Sequence, residues 1–140
     1  MIHEVASGGH GPAPASVIVL SGDVHHAYLA EASFPARAPI ESAVVQAVCS
    51  PIRNPLDRSE RRALRAALSR SAAAVARLLA RSAGVRPAAV RWGFTGEPTF
   101  DNQIASLDLA GRGANLTIEK TRPEDWATPR LHQTLSRTIA

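Results

Sequence analysis

Apolar and β-branched residues fill positions 15–20, Ala-Ser-Val-Ile-Val-Leu, a short run that predicts a strand buried on both faces and ends at Ser21-Gly22. A second extended piece is predicted over 26–34, and "PARAP" then forms a polar turn. Positions 40–50, with Val44, Val45 and Val48, alternate well enough to predict another strand. Pro51 halts it, and "PIRNP" at 51–55 reads as a loop by its two prolines. Helical periodicity follows: Asp57 with Glu60 three residues on is an acidic capping box, Leu64, Leu68, Val75, Leu78 and Leu79 recur at helical spacing, and Gly84 with Pro87 supplies the stop. That spacing predicts one long helix over 57–83.

Beyond "VRWGFTG" and a turn through "EPTFDN", positions 104–109 and 114–119 alternate apolar and polar around Gly111-Arg112-Gly113. Alternation around a glycine turn predicts an antiparallel hairpin with one face on the core. Leu131, Leu135 and Ile139 predict a last amphipathic turn or helix, and "MIHEVASGGHGPAP" predicts one helical turn followed by a Gly/Pro loop. The elements together predict an α/β protein with a buried strand pair, one long helix and an antiparallel hairpin.

The 140 residues read as a single domain, 1–140, long enough to bury a core. At 45% hydrophobic and 20% charged, the composition excludes a largely disordered chain. Lys120 is the only lysine, so fifteen of the sixteen basic side chains are arginine. A formal charge of +4 suits a partner carrying phosphate. Cys49, the single cysteine, excludes an internal disulfide framework and fits a reducing compartment. No export signal is recognisable at the start, and no apolar run approaches the roughly eighteen residues of a membrane span, so a cytoplasmic location is expected.

Chemistry enters at "SGDVHH", where Asp23, His25 and His26 follow the first strand. Carboxylate oxygen and imidazole nitrogen are ligands for hard and borderline metals, and the carboxyl end of a strand is where α/β proteins set such groups beside a crevice. Asp23 and His25, two apart, face the same way if extended and splay toward two neighbouring ions in a tight turn. By residue type alone, the triplet is equally open to a strand-terminating turn with a solvated histidine.

In its wider setting, the order of "VIVLSGDVHHAYLAE", "VVQAVCSPIRNPL", a basic helix and "RWGFTGEPTFDNQIASLDLAGRGANLTIEKT" resembles the C-terminal region of alkaline-phosphatase-D-like (PhoD-like) proteins of the calcineurin-like metallophosphoesterase superfamily. The resemblance runs over about 16–121, and its most specific pieces are Ser-Gly-Asp-Val-His-His, Gln-x-x-Cys-Ser-Pro-x-Arg-Asn-Pro and Phe-Asp-Asn-Gln. It implies the C-terminal part of a two-sheet metallophosphoesterase sandwich and metal-dependent phosphoester hydrolysis. In the superfamily the last metal motif commonly reads Gly-His-x-His, one side chain for each of two adjacent divalent or trivalent metals, and the matching positions are Gly22, Asp23, Val24 and His25. His25 is thus expected on one metal. Asp23, standing where the family has histidine, is expected on or near the other, as a ligand or as a contact to phosphate through water; both are the catalytic candidates. His26 is extra to the pattern and is expected to pack or hydrogen-bond. Ser50, Arg53 and Asn54 follow the second strand and are expected at the same crevice, Arg53 and Asn54 binding substrate with Arg53 as a phosphate clamp, where the alternative is a Pro-rich turn.

The superfamily's other ligands lie in Asp-x-His, Gly-Asp-x-x-Asp and Gly-Asn-His-Asp/Glu motifs upstream of this one, and none lies ahead of Gly22 here. Asp23 and His25 do not fill even one metal's shell. The expectation is therefore the C-terminal portion of a hydrolase, inactive or incomplete alone, whose partners are a phosphoester and the missing N-terminal part of its own domain; the alternative is a free-standing remnant without catalysis. An open sheet edge and bare apolar surface belong to that expectation.

Cys49 is expected to be a small buried hydrophobe, Asp101 and Asn102 to be turn residues, and His3, His10 and His132 to be solvated. Arg58, Arg61, Arg62, Arg65, Arg70, Arg77 and Arg81 raise a second function class, a non-enzymatic module using helix 58–82 on an anionic membrane or nucleic acid. Few aromatics and no base-reading motif accompany them, so they read as a solvated face and no nucleic-acid partner is expected.

Overall fold

The computed structural model describes residues 1–22, 26–35, 37, 39–50, 57–122, 127–128 and 130–140. It falls into two compact units, one of residues 1–55 with 89–140, the other of residues 56–88. In the first unit lie α1 (Ile2–Ala6), β1 (Ser16–Ser21), β2 (Tyr28–Ser33), β3 (Ala43–Val48), β4 (Arg91–Phe94), β5 (Gln103–Ala110), β6 (Gly113–Lys120) and β7 (His132–Thr138); the second holds α2 (Arg58–Ala67) and α3 (Arg70–Ser82). The chain is an α/β protein with two sheets, four-stranded in the order β1-β3-β2-β4 and three-stranded in the order β5-β6-β7.

Period-two alternation sets how the sheets meet. Ala27 and Leu29 from the β2 side, Val45 and Ala47 from β3, and Leu116 and Ile118 from β6 form one apolar cluster, with Ile18, Cys49, Ala105, Leu107, Leu135 and Ile139 packed around it. Leu29, Leu116 and Ile118 are at most 2% exposed, and burying each side chain contributes about 1.5–3 kcal/mol. The predicted hairpin forms as expected: β5 pairs antiparallel with β6 from Gln103–Lys120 to Ala110–Gly113, and Gly111 takes the positive φ of 59° that the turn requires.

Three expectations change. The strand buried on both faces is β3, where Val44, Val45, Ala47 and Val48 are all buried; it lies inside the sheet, as β2 does. By contrast β1 is an edge strand, with Val19 39% and Leu20 62% exposed. The tail is a strand, not a helix. Leu135 and Ile139 are four apart, an even spacing that keeps them on one face in extended chain as well as in a helix, and β-branched Thr134 and Thr138 suit β7 to the edge of β6. Finally, the long helix is two helices. Ser69 takes an extended conformation (ψ 154°), its hydroxyl donates to the Ala66 carbonyl and accepts from the Ala72 N–H at 3.2 Å, and so it caps α3 instead of continuing α2. At the start of α2 the Glu60 carboxylate accepts from the Asp57 N–H at 3.1 Å, as the capping box predicts. Strand β4, antiparallel to β2 from Ala30–Phe94 to Ser33–Arg91, was not among the predicted elements. Among the described residues no helix is long and apolar enough to cross a membrane.

If the shared apolar layer holds the sheets together, Leu116→Ala should lower stability by about 2–5 kcal/mol, while Leu109→Ala, 69% exposed in the same hairpin, should change it by less than about 0.5 kcal/mol. Urea denaturation of the two variants measures both.

Candidate functional site

The site is built where two parallel strands end together. β1 and β3 pair in parallel from Ser16–Ala43 to Ser21–Val48, and the Cys49 N–H donates to the Ser21 carbonyl at 3.2 Å. The described chain therefore reaches Gly22 and Ser50 on the same rim of the sheet. β2, running antiparallel to β3 with Tyr28 opposite Val48, starts from that rim as well.

A third segment arrives from the far end of the sequence. Ala27 and Thr99 exchange two backbone hydrogen bonds of 2.9 Å. Phe100, 2% exposed, lies with its ring centroid 6.2 Å from that of His26, and His26 stacks on Tyr28 at 5.2 Å. Gln103 is 4% exposed, and its amide is fully engaged: Nε2 donates to the Ser50 carbonyl at 3.2 Å and the Thr99 carbonyl at 3.1 Å, and Oε1 accepts from the Thr99 hydroxyl at 2.7 Å. Between these two anchors, Asp101 takes a positive φ of 90° and forms an ion pair with Lys120 at 3.3 Å, as a turn residue of short polar side chain can. The buried Gln103 amide thus ties the end of β3 to the start of β5.

The four residues with expected site roles, Asp23, His25, Arg53 and Asn54, lie outside the described residues. Of those flanking them, His26 packs on aromatic rings, in keeping with the packing role expected for it. His3 meets Phe34 edge to face at 5.2 Å instead of standing free in solvent. Cys49 is half-buried against the apolar cluster, and burial raises its thiol pKa above the ordinary value, with a smaller opposing pull from the Ala105 backbone.

Among the described residues no three His, Cys, Asp or Glu side chains gather closely enough to hold a metal ion. The Asn102 amide oxygen is buried with no hydrogen-bond partner among them, but a single neutral oxygen is far short of a cation's shell. The rim does not form a metal site from its described residues alone. Beside it, a cleft of about 190 Å³ is lined largely by apolar side chains, among them Leu20, Val48, Leu107 and Ile118. A second cleft of about 290 Å³, beside the opposite end of β3, is lined by residues that include Glu31 and Arg137, which pair at 3.2 Å.

Sequence reasoning missed the role of Gln103 and the aromatic row of Tyr28, Phe94 and Trp92, whose rings meet edge to face at 5.0 and 5.3 Å. "RWGF" carried a signal in its aromatic content, but a central glycine weakens any strand pattern. No family model, curated protein or solved structure matches the chain.

Two outcomes test this geometry. Gln103→Leu leaves the Ser50 and Thr99 carbonyls without a buried donor and should cost about 1–3 kcal/mol in urea unfolding. Cys49 should react with a thiol reagent at about pH 8 more slowly in the native chain than in the unfolded one. Because its folded pKa is raised, the stability linked to Cys49 is present below the ordinary thiol pKa and is lost as pH rises through the raised value.

Proposed function

We propose that the chain is the C-terminal portion of a PhoD-like, metal-dependent phosphoester hydrolase, with part of a two-sheet metallophosphoesterase sandwich. In this reading His25 and Asp23 contribute to a dinuclear centre of divalent or trivalent ions, and Arg53 and Asn54 hold the phosphoester. A centre of that kind, when bound, supplies electrostatic stabilisation of phosphoryl oxygens and makes water acidic enough to attack phosphorus. Arg53 offers the phosphate a planar, bidentate donor. The ligand set within residues 1–140 is partial, so the chain by itself is incomplete as a catalyst, and its partner is the part of the domain that carries the remaining ligands.

One observation supports this reading above the others. The three sequence pieces of the resemblance are separated by tens of residues, yet the described residues that bracket or compose them meet at one rim: Ser21 beside Val48, Gln103 on Ser50, and Phe100 against His26. A motif set scattered by chance has no reason to share a rim.

The test is metal binding as well as turnover. Titrated with Mn²⁺ and Zn²⁺ by calorimetry, the chain should bind weakly, and Asp23→Ala or His25→Ala should reduce affinity at least about tenfold. Any release of p-nitrophenol from its phosphate mono- or diester should fall with the same substitutions. Unchanged metal affinity in both variants, or turnover indifferent to them, overturns the proposal.

A further inference from the structure

The helical unit carries a surface that a rim site does not explain. Neither α2 nor α3 has a fully buried residue. On α3, Val75, Leu78 and Leu79 share one face at spacings of three and four, and they are 56%, 66% and 62% exposed. Ala73 and Ala80, half-buried, lie on the opposite side of the helix, and Ala72, also half-buried, lies beside Val75 and Leu79, yet the three large apolar side chains themselves stay exposed. A basic stripe, Arg70, Arg77 and Arg81 at spacings of seven and four, runs along the polar face, centred about 130° round the helix from the apolar one, with Arg81 at its near edge one turn beyond Leu78. Eight arginines stand in residues 57–88 against Asp57 and Glu60, a formal +6 in a chain of +4 overall, and no acidic side chain occurs between 61 and 96.

We infer that this helical hairpin docks on an anionic lipid surface, with α3 lying in the interface, Val75, Leu78 and Leu79 inserted among the acyl chains and the arginine stripe on the headgroup phosphates. An interfacial helix needs this pairing of an uncovered leucine face with a basic polar face. Other occupants satisfy half of it. Nucleic-acid phosphates would take the arginines and leave the leucines in water, with no aromatic side chain on the helix for a base to stack on. A second copy would cover the leucines but leave the arginines without a counter-charge and bring two units of formal +6 together. An anionic bilayer satisfies both, and it adds its own attraction for each arginine near the surface.

The experiment is co-sedimentation of the full chain with phosphatidylglycerol-containing vesicles, with phosphatidylcholine vesicles and with no lipid, with duplex DNA binding measured in parallel. The chain should bind the anionic vesicles, bind phosphatidylcholine weakly or not at all, and be released as salt rises. Arg77→Gln with Arg81→Gln should weaken partitioning roughly thirtyfold. Leu78→Ser with Leu79→Ser should weaken it at least about tenfold at unchanged charge. Both pairs are exposed, so circular dichroism should match that of the parent. No preference for anionic lipid overturns the inference. So does partitioning that ignores the leucine pair, DNA binding that survives that pair with vesicle binding absent, or self-association that only the leucine pair abolishes.

Discussion

The fold rests on one layer of contact, Leu29, Val45 and Ala47 of the four-stranded sheet against Leu116 and Ile118 of the three-stranded one. Side chains alternate along a strand, so a slip of one residue in β6 would turn Leu116 and Ile118 to solvent and bring Asn115 and Thr117 into the layer. At about 1.5–3 kcal/mol for each large apolar side chain, the penalty for that slip is a large fraction of the stability of a small domain. Register is thereby set across both sheets. Once β3 is fixed, β1 beside it in parallel must finish at the same rim, and the turn ahead of β5 is close enough for Gln103 to reach the Ser50 carbonyl.

What this leaves uncovered is informative. Parallel strands usually sit inside a sheet with both faces covered. Here the strand parallel to β3 is at the edge, with Val19 and Leu20 substantially exposed and an apolar cleft beside Leu20. Edge strands that stand in water are normally guarded by charge, proline or a bulge; Ser16–Ser21 has none of the first two and pairs without a register shift. An unguarded apolar edge is what a strand looks like when its other neighbour is supplied by something else. The incomplete ligand set proposed above asks for the same thing from chemistry.

Strands β1, β2 and β3, the β5–β6 hairpin and the start of α2 were readable from the sequence because each carries a local signal that agrees with its packing: β-branched runs, a glycine turn, a capping box. Two of the misreadings share a physical origin, a spacing compatible with two structures. Four residues is both a helical turn and two strand pleats, which made β7 read as helix, and the apolar spacing from Leu64 to Leu79 is continuous through a break that only the Ser69 hydroxyl determines. Burial was misassigned between β1 and β3 because strand order is a tertiary property that neither run encodes locally. The rim itself was half legible. Residue types pointed to Asp23 and His25, but the anchoring by Gln103 depends on a contact across 53 residues, and nothing in the pattern around it distinguishes that glutamine from a solvated one.

Charge, finally, separates the two surfaces. The chain's positive balance belongs to the helical unit; the remainder carries eight basic and ten acidic side chains, a formal −2. The overall +4 is thus carried by residues 56–88 and not by the sheet unit taken by itself. In the proposed reading, an oxygen donor at Asp23 with a nitrogen donor at His25 is the kind of ligand pair that recruits cations to a unit whose own formal charge is negative.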